Sequence, residues 1–239
     1  MFVSNALNFA QKELKKQNIK SNIIDSEVLL SYILQRERSS LLINRDNYII
    51  SKFQFNKFKD LIEQRKNRKP VSQIIGKKYF WKYCFYINKF TLTPRPETEH
   101  LIELSLKNIN NFKKSSILDI GTGSGCIIIS LLKESESSNG VAIDICKEAL
   151  NIAKYNAKMH HIENRIKFFK SSVDKFLFGT YDLIVSNPPY INKLKIKYLE
   201  EDVKNYDPEI SLNGGKEGLE VIKSVIFCAK KLCKLNGKL

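Results

Sequence analysis

Short apolar runs alternate with helical patterns through the part of the chain that follows residue 116. Residues 117–120, 141–144, 166–169 and 181–186 are apolar runs of strand length, and the apolar spacing between the first three is helical. Parallel neighbouring strands need a crossover connection, which is usually a helix. The order of these elements therefore predicts an α/β fold with a parallel, doubly wound sheet.

The chain ahead of this region divides into two further parts. The first 70 residues carry apolar side chains at three- and four-residue steps, contain no glycine and reach Pro70, which favours a small helical domain. Residues 78–92 are rich in partly alternating aromatic side chains, which favours a β-hairpin. We expect a helical domain at 1–75, a hairpin linker at 76–95 and the α/β domain at 96–239.

Composition excludes several classes of protein. The chain has 239 residues, of which 43% are hydrophobic and 27% charged, so it is not disordered as a whole, collagenous or a coiled rod. It has no apolar run of about 18 residues, and residues 1–20 are too polar for a signal peptide. The five cysteines form no Cys-x-x-Cys pair and fit no zinc spacing, so we expect a cytoplasmic protein with reduced thiols and no metal.

The formal net charge of +15 is unevenly distributed. Residues 1–95 hold 19 basic and 7 acidic side chains, whereas residues 96–239 hold 21 and 18. Only seven of the 40 basic residues are Arg, and abundant Lys, Ile and Asn indicate a coding bias that raises Lys content without selection. Such a bias does not account for the asymmetry, which favours a basic docking surface at the front of the chain.

A glycine-rich segment, 121–125, follows the first apolar run of the α/β region and opens a helix. Its glycines allow close backbone approach to a ligand, and free N–H groups at a helix start hold anionic groups. Asp144 ends the next strand, where an acid can accept hydrogen bonds from ribose hydroxyls. NAD and S-adenosylmethionine both fit, as does a purely structural turn. Asp119 either binds the ammonium of a methionine moiety or caps this turn.

The motif Asn187-Pro188-Pro189-Tyr190 directly follows the fourth apolar run and indicates which class of reaction the chain catalyses. The Asn187 side-chain oxygen and the Pro188 carbonyl can accept hydrogen bonds from a planar NH₂ group, on which the Tyr190 ring can stack. Holding both N–H bonds turns the nitrogen lone pair toward an electrophilic methyl group. The motif therefore indicates a methyltransferase that acts on an amide or exocyclic amine. A rigid Pro-Pro turn is the structural alternative.

With these motifs, the chain resembles the PrmC/HemK family of protein-(glutamine-N5) methyltransferases, which modify peptide chain release factors. The resemblance covers essentially the whole chain and rests on five stretches: 69–76, 93–99, 117–125, 184–190 and the Asp207-Pro208, Gly214-Gly215 and Gly218-Leu219 positions. Asn-Pro-Pro-Tyr also occurs in DNA and RNA amino-methyltransferases. The segment 94–99, Pro-Arg-Pro-Glu-Thr-Glu, and the helical front domain make the match specific.

The resemblance implies a class I S-adenosylmethionine-dependent methyltransferase domain with a Rossmann-like doubly wound sheet. It also implies S-adenosylmethionine as methyl donor and the glutamine of the Gly-Gly-Gln loop of class 1 release factors as substrate. The implied catalytic residues are Asn187, Pro188 and Tyr190, and the implied substrate-binding residues are Asn187, Pro188, Pro189 and Tyr190. The implied cofactor-binding residues are Asp119, Gly121, Thr122, Gly123, Ser124, Gly125, Asp144, Ser172, Val173 and Asn187. The front domain would dock the release factor, and its basic charge makes association with the ribosome possible. Neither a nucleic-acid substrate nor a membrane is expected.

Two departures from the family pattern bear on activity. Ser172 and Val173 stand where the family usually has an acidic residue and an aromatic beside the adenine, and neither can stack. The sequence ends where the family begins its fifth strand, so we expect the sheet to lack its last strands and to be open beside the strand at 181–186. A nucleic-acid amino-methyltransferase and a degenerate, non-catalytic release-factor-binding protein remain as alternative functions.

Overall fold

The computed structural model describes residues 1–109 and 114–239. The chain forms two compact units, residues 1–76 and 77–239. Within the described ranges, no helix combines the length and apolar character needed to cross a membrane.

The first unit is built from helices, and one antiparallel β-bridge joins Phe2 to Ile49. Its helices are α1 (Val3–Lys16), α2 (Asn22–Leu34), α3 (Arg38–Ile43), α4 (Lys52–Lys66) and α5 (Val71–Ile75). Ser51 begins α4 with a capping box, in which its hydroxyl accepts from the Gln54 N–H and the Gln54 side chain accepts from the Ser51 N–H. The helix ends before Pro70, as expected, and α5 begins directly after it. The apolar faces of α1, α2 and α4 form one buried core.

The aromatic segment forms the expected hairpin, with strands β1 (Lys77–Phe80) and β2 (Tyr83–Tyr86) paired antiparallel. It packs with the second unit instead of standing apart as a linker, because Phe80 and Phe85 are buried in that unit's core. The Glu134 carboxylate also accepts hydrogen bonds from Trp81 Nε1 at 3.0 Å and Tyr83 Oη at 2.9 Å. The hairpin is thereby a brace on the α/β fold.

The α/β part is a five-stranded parallel sheet. Its strands are β3 (Ser116–Ile120), β4 (Asn139–Asp144), β5 (Ile166–Lys170), β6 (Tyr181–Ser186) and β7 (Cys233–Lys238), in the order β5-β4-β3-β6-β7. The helices of this unit are α6 (Glu99–Asn108), α7 (Cys126–Glu134), α8 (Lys147–Met159), α9 (Glu201–Lys204) and α10 (Glu220–Leu232). One apolar core includes α7 with the hairpin, and another places α10 against side chains of β3, β4 and β6. The order reverses between β3 and β6, which is the switch point where ligands bind in such sheets.

The expected open edge beside the strand at 181–186 is wrong. β7 pairs in parallel with that strand, β6, and aligns Cys233 with Tyr181 and Lys238 with Leu183 across a register shift. The end of the sequence has few apolar residues, so periodicity alone gave no strand there. Leu232 packs in the core ahead of β7, and Gly237 lies where a Cβ would stand only 2.9 Å from the Tyr181 carbonyl. This close approach lets the two strands pair.

Candidate active site

The glycine-rich loop lies at the carboxyl end of β3, as the sequence predicts. Gly121, Gly123 and Gly125 all adopt positive φ, between +56° and +80°. At Gly125 an added Cβ would stand 2.9 Å from Ile129 Cδ1 and 3.2 Å from Ala153 Cβ, so this glycine allows close packing of α7. At Gly121 an added Cβ would meet no atom of the described residues within 4 Å. The first glycine therefore borders open space and the last serves packing.

The two predicted acids lie at different depths. Asp144, at the end of β4, uses its carboxylate to accept from the Gly123 N–H and the Cys146 N–H, both at 2.9 Å. Asp119 is fully buried, and its Oδ2 accepts from Thr122 Oγ1 at 2.7 Å. Burial raises the pKa of Asp119 to about 7, and burial also raises the pKa of Asp144. The turn-capping role considered for Asp119 thus has a direct hydrogen bond.

A cavity of about 780 Å³ opens at the carboxyl ends of β3, β4, β5 and β6. The residues of the predicted cofactor set that line it are Gly121, Thr122, Gly123, Ser124, Asp144, Ser172, Val173 and Asn187. Asp119 and Gly125 are not among its lining residues and lie directly beside the loop. Phe90, after the hairpin, supplies an aromatic ring to the wall that sequence reasoning did not assign.

The Asn-Pro-Pro-Tyr segment borders this cavity and a second one of about 490 Å³. Asn187 and Pro188 line both cavities, Pro189 lines the first and Tyr190 lines the second. The Tyr190 side chain is 65% exposed, so its ring is available to a ligand. Asn187, Pro188 and Tyr190 therefore border one cavity, which is the arrangement that the predicted acceptor site requires.

A second glycine segment supports the acceptor motif from behind. The Ile191 N–H donates to the Leu212 carbonyl at 3.0 Å, and the Gly214 N–H donates to the Ile191 carbonyl at 2.8 Å. At Gly218, where φ is +81°, a Cβ would stand 2.4 Å from the Tyr190 carbonyl oxygen. The sequence marked these glycines only through the family resemblance, and the structure gives them a packing reason.

Arg95 and Asp207 are site residues to which the sequence analysis gave no role. The Arg95 guanidinium forms an ion pair with the buried Asp207 carboxylate at 2.5 Å. The same carboxylate accepts hydrogen bonds from the Thr93 N–H at 3.2 Å and from the Thr93 hydroxyl at 3.1 Å. Burial raises the pKa of Asp207, against the lowering effect of the Arg95 charge. Arg95 lines both cavities, so this ion pair fixes the segment that crosses between them.

Asn156 on α8 connects the hairpin to the glycine loop and was also missed. Its side-chain amide exchanges two hydrogen bonds with the Tyr86 backbone, both at 2.9 Å. Its Nδ2 also donates to the Ser124 carbonyl at 2.8 Å. A single Asn in a helical pattern is typical of a solvated face, so only its burial and these long-range contacts could reveal the role.

The first cavity fits a ligand that carries both a nucleoside and a cationic group. Open space at Gly121, the Asp144 carboxylate and the Phe90 ring offer a close backbone approach, a hydroxyl acceptor and an apolar face. Asp119 does not line the cavity, but among the described residues its buried Oδ1 has no hydrogen-bond partner, so its charge from behind the loop favours a cationic group in the cavity. S-adenosylmethionine, which has an adenosine, an ammonium and a sulfonium, meets these requirements.

Comparisons with known proteins point to the same family for both units of the chain. Residues 5–76 match the model for the PrmC N-terminal domain, and residues 99–203 match the model for the methyltransferase small domain. A release factor glutamine methyltransferase of Clostridium acetobutylicum is 35% identical over 99% of this chain and 84% of its own length. A protein with the same description from Buchnera aphidicola subsp. Baizongia pistaciae is 35% identical over 97% of this chain and 82% of its own length. Another, from Caulobacter vibrioides, is 36% identical over 95% of this chain and 79% of its own length.

Solved structures agree on the fold of the α/β part. The crystal structure of the hMettl16 catalytic domain in complex with the MAT2A 3′UTR hairpin 6 aligns with a TM-score of 0.53. It covers 63% of this chain and 58% of its own, at 21% identity. At that identity the likeness concerns architecture alone.

Proposed function

This chain belongs to the release factor glutamine methyltransferase family, and we propose that it methylates the side-chain amide nitrogen of the glutamine in the Gly-Gly-Gln loop of class 1 release factors. It is an S-adenosylmethionine-dependent methyltransferase. The observation that carries the proposal is the shared wall of two cavities, in which Asn187 and Pro188 border both the glycine-loop cavity and the cavity that Tyr190 lines.

The first cavity is the proposed cofactor site. The loop 121–124 would approach the cofactor closely, and the Asp144 carboxylate oxygens, each engaged in one hydrogen bond, keep lone pairs for ribose hydroxyls. Asp119 would hold the glycine loop through its hydrogen bond with Thr122, and its negative charge would attract the cationic groups of the cofactor. Phe90 and Val173 would offer apolar surface to the adenine, which reduces the concern that this chain lacks an aromatic after β5. When bound, S-adenosylmethionine supplies an electrophilic methyl group on a sulfonium.

The second cavity is the proposed acceptor site. The Asn187 Oδ1 and the Pro188 carbonyl would accept the two N–H groups of the glutamine amide, while Pro189 fixes the turn and the Tyr190 ring covers the amide's flat face. These contacts hold the nitrogen so that its lone pair, normally delocalised into the carbonyl, faces the methyl group. Positioning and fixed dipoles of this kind lower the barrier without a chemical step by the protein.

No protein base is needed for this reaction. After transfer, the amide nitrogen carries a positive charge and two protons, and it loses one of those protons to water. The described residues that line the second cavity include one carboxylate, Glu97, which is solvent-exposed. Asn187 and Pro188 therefore act as positioning acceptors throughout.

The basic charge at the front of the chain bears on the partner and the location of the enzyme. Residues 1–76 hold 14 basic and 7 acidic side chains, a net charge of +7, and the segment 77–95 adds +5. Because the hairpin packs with the second unit, the basic surface expected for the front of the chain is divided between both units. We propose that these surfaces dock a release factor, with possible ribosome association, that nucleic acid is not the methyl acceptor, and that the enzyme works in the cytoplasm.

A methyl-transfer assay with labelled S-adenosylmethionine tests the proposal. The wild-type chain is incubated separately with a class 1 release factor, with ribosomal RNA and with DNA. The proposal expects label on the release factor alone, reduced at least about a hundredfold by Asn187→Ala. Label on nucleic acid would contradict it, and so would a release factor that stays unlabelled while the chain binds S-adenosylmethionine.

A further inference from the structure

The Asn187 side chain can hold the acceptor amide in only one of its two orientations. An Asn amide has a carbonyl on one side and an NH₂ on the other, and only the carbonyl can accept an N–H bond. In the structure Asn187 Nδ2 donates to Thr98 Oγ1 at 3.2 Å. Among the described residues, no group donates to its Oδ1. One N–H of the amide is thus engaged by Thr98, whereas the oxygen accepts no hydrogen bond within the described residues.

Thr98 is itself fixed from both sides. It ends the turn Pro96–Thr98, which leads directly into α6, and its backbone N–H donates to the Arg95 carbonyl at 3.0 Å. Arg95 is held in turn by its ion pair with Asp207. On the other side of Thr98, the Glu99 carboxylate accepts a hydrogen bond from the Trp81 N–H at 2.8 Å. The hydroxyl that meets Asn187 therefore sits on a braced segment.

Thr98 and Asn187 line the same two cavities, although 89 positions separate them in the chain. We propose that Thr98 is a positioning residue: its hydroxyl accepts from the Asn187 NH₂ and anchors that side chain with its oxygen left free for the acceptor amide. The inference rests on the proposed function. The opposite orientation would bring two NH₂ groups face to face and prevent acceptor binding.

Replacement of Thr98 by Val and by Ser separates this role from simple packing. Val keeps the shape of Thr without the hydroxyl, whereas Ser keeps the hydroxyl. We expect Thr98→Val to lower kcat/KM for the release factor about tenfold, the size of one lost hydrogen bond, chiefly through kcat. Thr98→Ser should restore most of the rate, and the affinity for S-adenosylhomocysteine should stay within about twofold in both variants.

A double-mutant cycle tests whether the effect passes through Asn187. If it does, adding Thr98→Val to Asn187→Ala should cause no further loss of kcat/KM. Thr180→Val, on an exposed loop away from both cavities, is the matched control and should leave the rate unchanged. Equal losses in both backgrounds, or a Thr98→Val variant within about twofold of wild type, would overturn the inference.

A second readout does not depend on turnover. The side-chain NH₂ of Asn187, assigned by its disappearance in Asn187→Ala, should show slow hydrogen exchange in wild type and Thr98→Ser and faster exchange in Thr98→Val. If wild type transfers no methyl, the proposed function fails and this exchange alone decides the inference. Equal exchange in wild type and Thr98→Val would overturn it.

Discussion

Asp144 holds the glycine loop from the neighbouring strand: its Oδ2 accepts a hydrogen bond from the backbone N–H of Gly123 at 2.9 Å. Its Oδ1 accepts from the Cys146 N–H at the same distance. Because β3 and β4 are paired side by side, one carboxylate joins the carboxyl ends of both strands. The acid expected to bind ribose therefore also shapes the loop that faces the cofactor cavity.

We expect Asp144→Ala to weaken both folding and cofactor binding. The change leaves the half-buried Gly123 and Cys146 N–H groups without their acceptor, and partial solvent access keeps the expected cost near the lower end of the range for buried groups, about 1 kcal/mol. Urea unfolding measures the first effect and isothermal titration with S-adenosylmethionine measures the second. Glu163→Gln, on an exposed turn, is the control and should change neither. A variant with normal stability and weak binding would leave Asp144 as a ribose ligand without the structural role.

Gly218→Ala should impair methyl transfer from outside the two cavities. A Cβ at this position would stand 2.4 Å from the Tyr190 carbonyl, so the acceptor motif must shift. A displacement near 1 Å at a reacting group costs about a hundredfold in rate. Gly179→Ala is a matched control, because its φ of +80° imposes the same backbone strain and its Cβ would meet the Tyr181 ring instead. Steady-state kinetics should show a large loss of kcat/KM only for Gly218→Ala, and equal losses would contradict the supporting role.

The pH dependence of stability should report Asp119. Burial raises its pKa to about 7, well above the value of about 3.9 for an unfolded chain. The native state then binds more protons than the unfolded state between these values, so this group lowers the free energy of unfolding as pH rises from about 4 to about 7. Asp119→Asn cannot titrate and should gain stability relative to wild type across that window. Urea unfolding of the ligand-free proteins measures it, and parallel pH curves would refute the assignment.

The main elements of the fold follow from sequence patterns that are strong and local. The runs at 117–120, 141–144, 166–169 and 181–186 became β3, β4, β5 and β6, because buried parallel strands are continuously apolar. The hairpin was also predicted, but its packing with the second unit depends on Glu134, about 50 positions from the aromatic residues that it binds. The family resemblance implied only the start of a strand at the end of the sequence, and periodicity did not reveal β7, because its exposed side chains are mostly polar and backbone pairing with β6 defines it.

The candidate site likewise contains residues that local motifs indicate and residues that only long-range contacts reveal. Asn187, Pro188, Tyr190 and the glycine loop were singled out from short local motifs, and the structure places them at the two cavities, while their roles stay predictions. Thr98, Arg95 and Asn156 act through partners 70 to 112 positions away, which no local pattern reveals. The family pattern has an aromatic after β5, whereas the cavity wall here includes Phe90, because the sheet brings the segment after the hairpin to the same edge.

The position of the transferred methyl group tests the central claim most directly. Release factor is incubated with S-adenosylmethionine and either wild type or Asn187→Ala, digested, and examined by tandem mass spectrometry. We predict one methyl group on the side-chain nitrogen of the glutamine in the Gly-Gly-Gln loop with wild type, and none above background with Asn187→Ala. Methylation at another residue, or equal methylation by both proteins, would contradict the account.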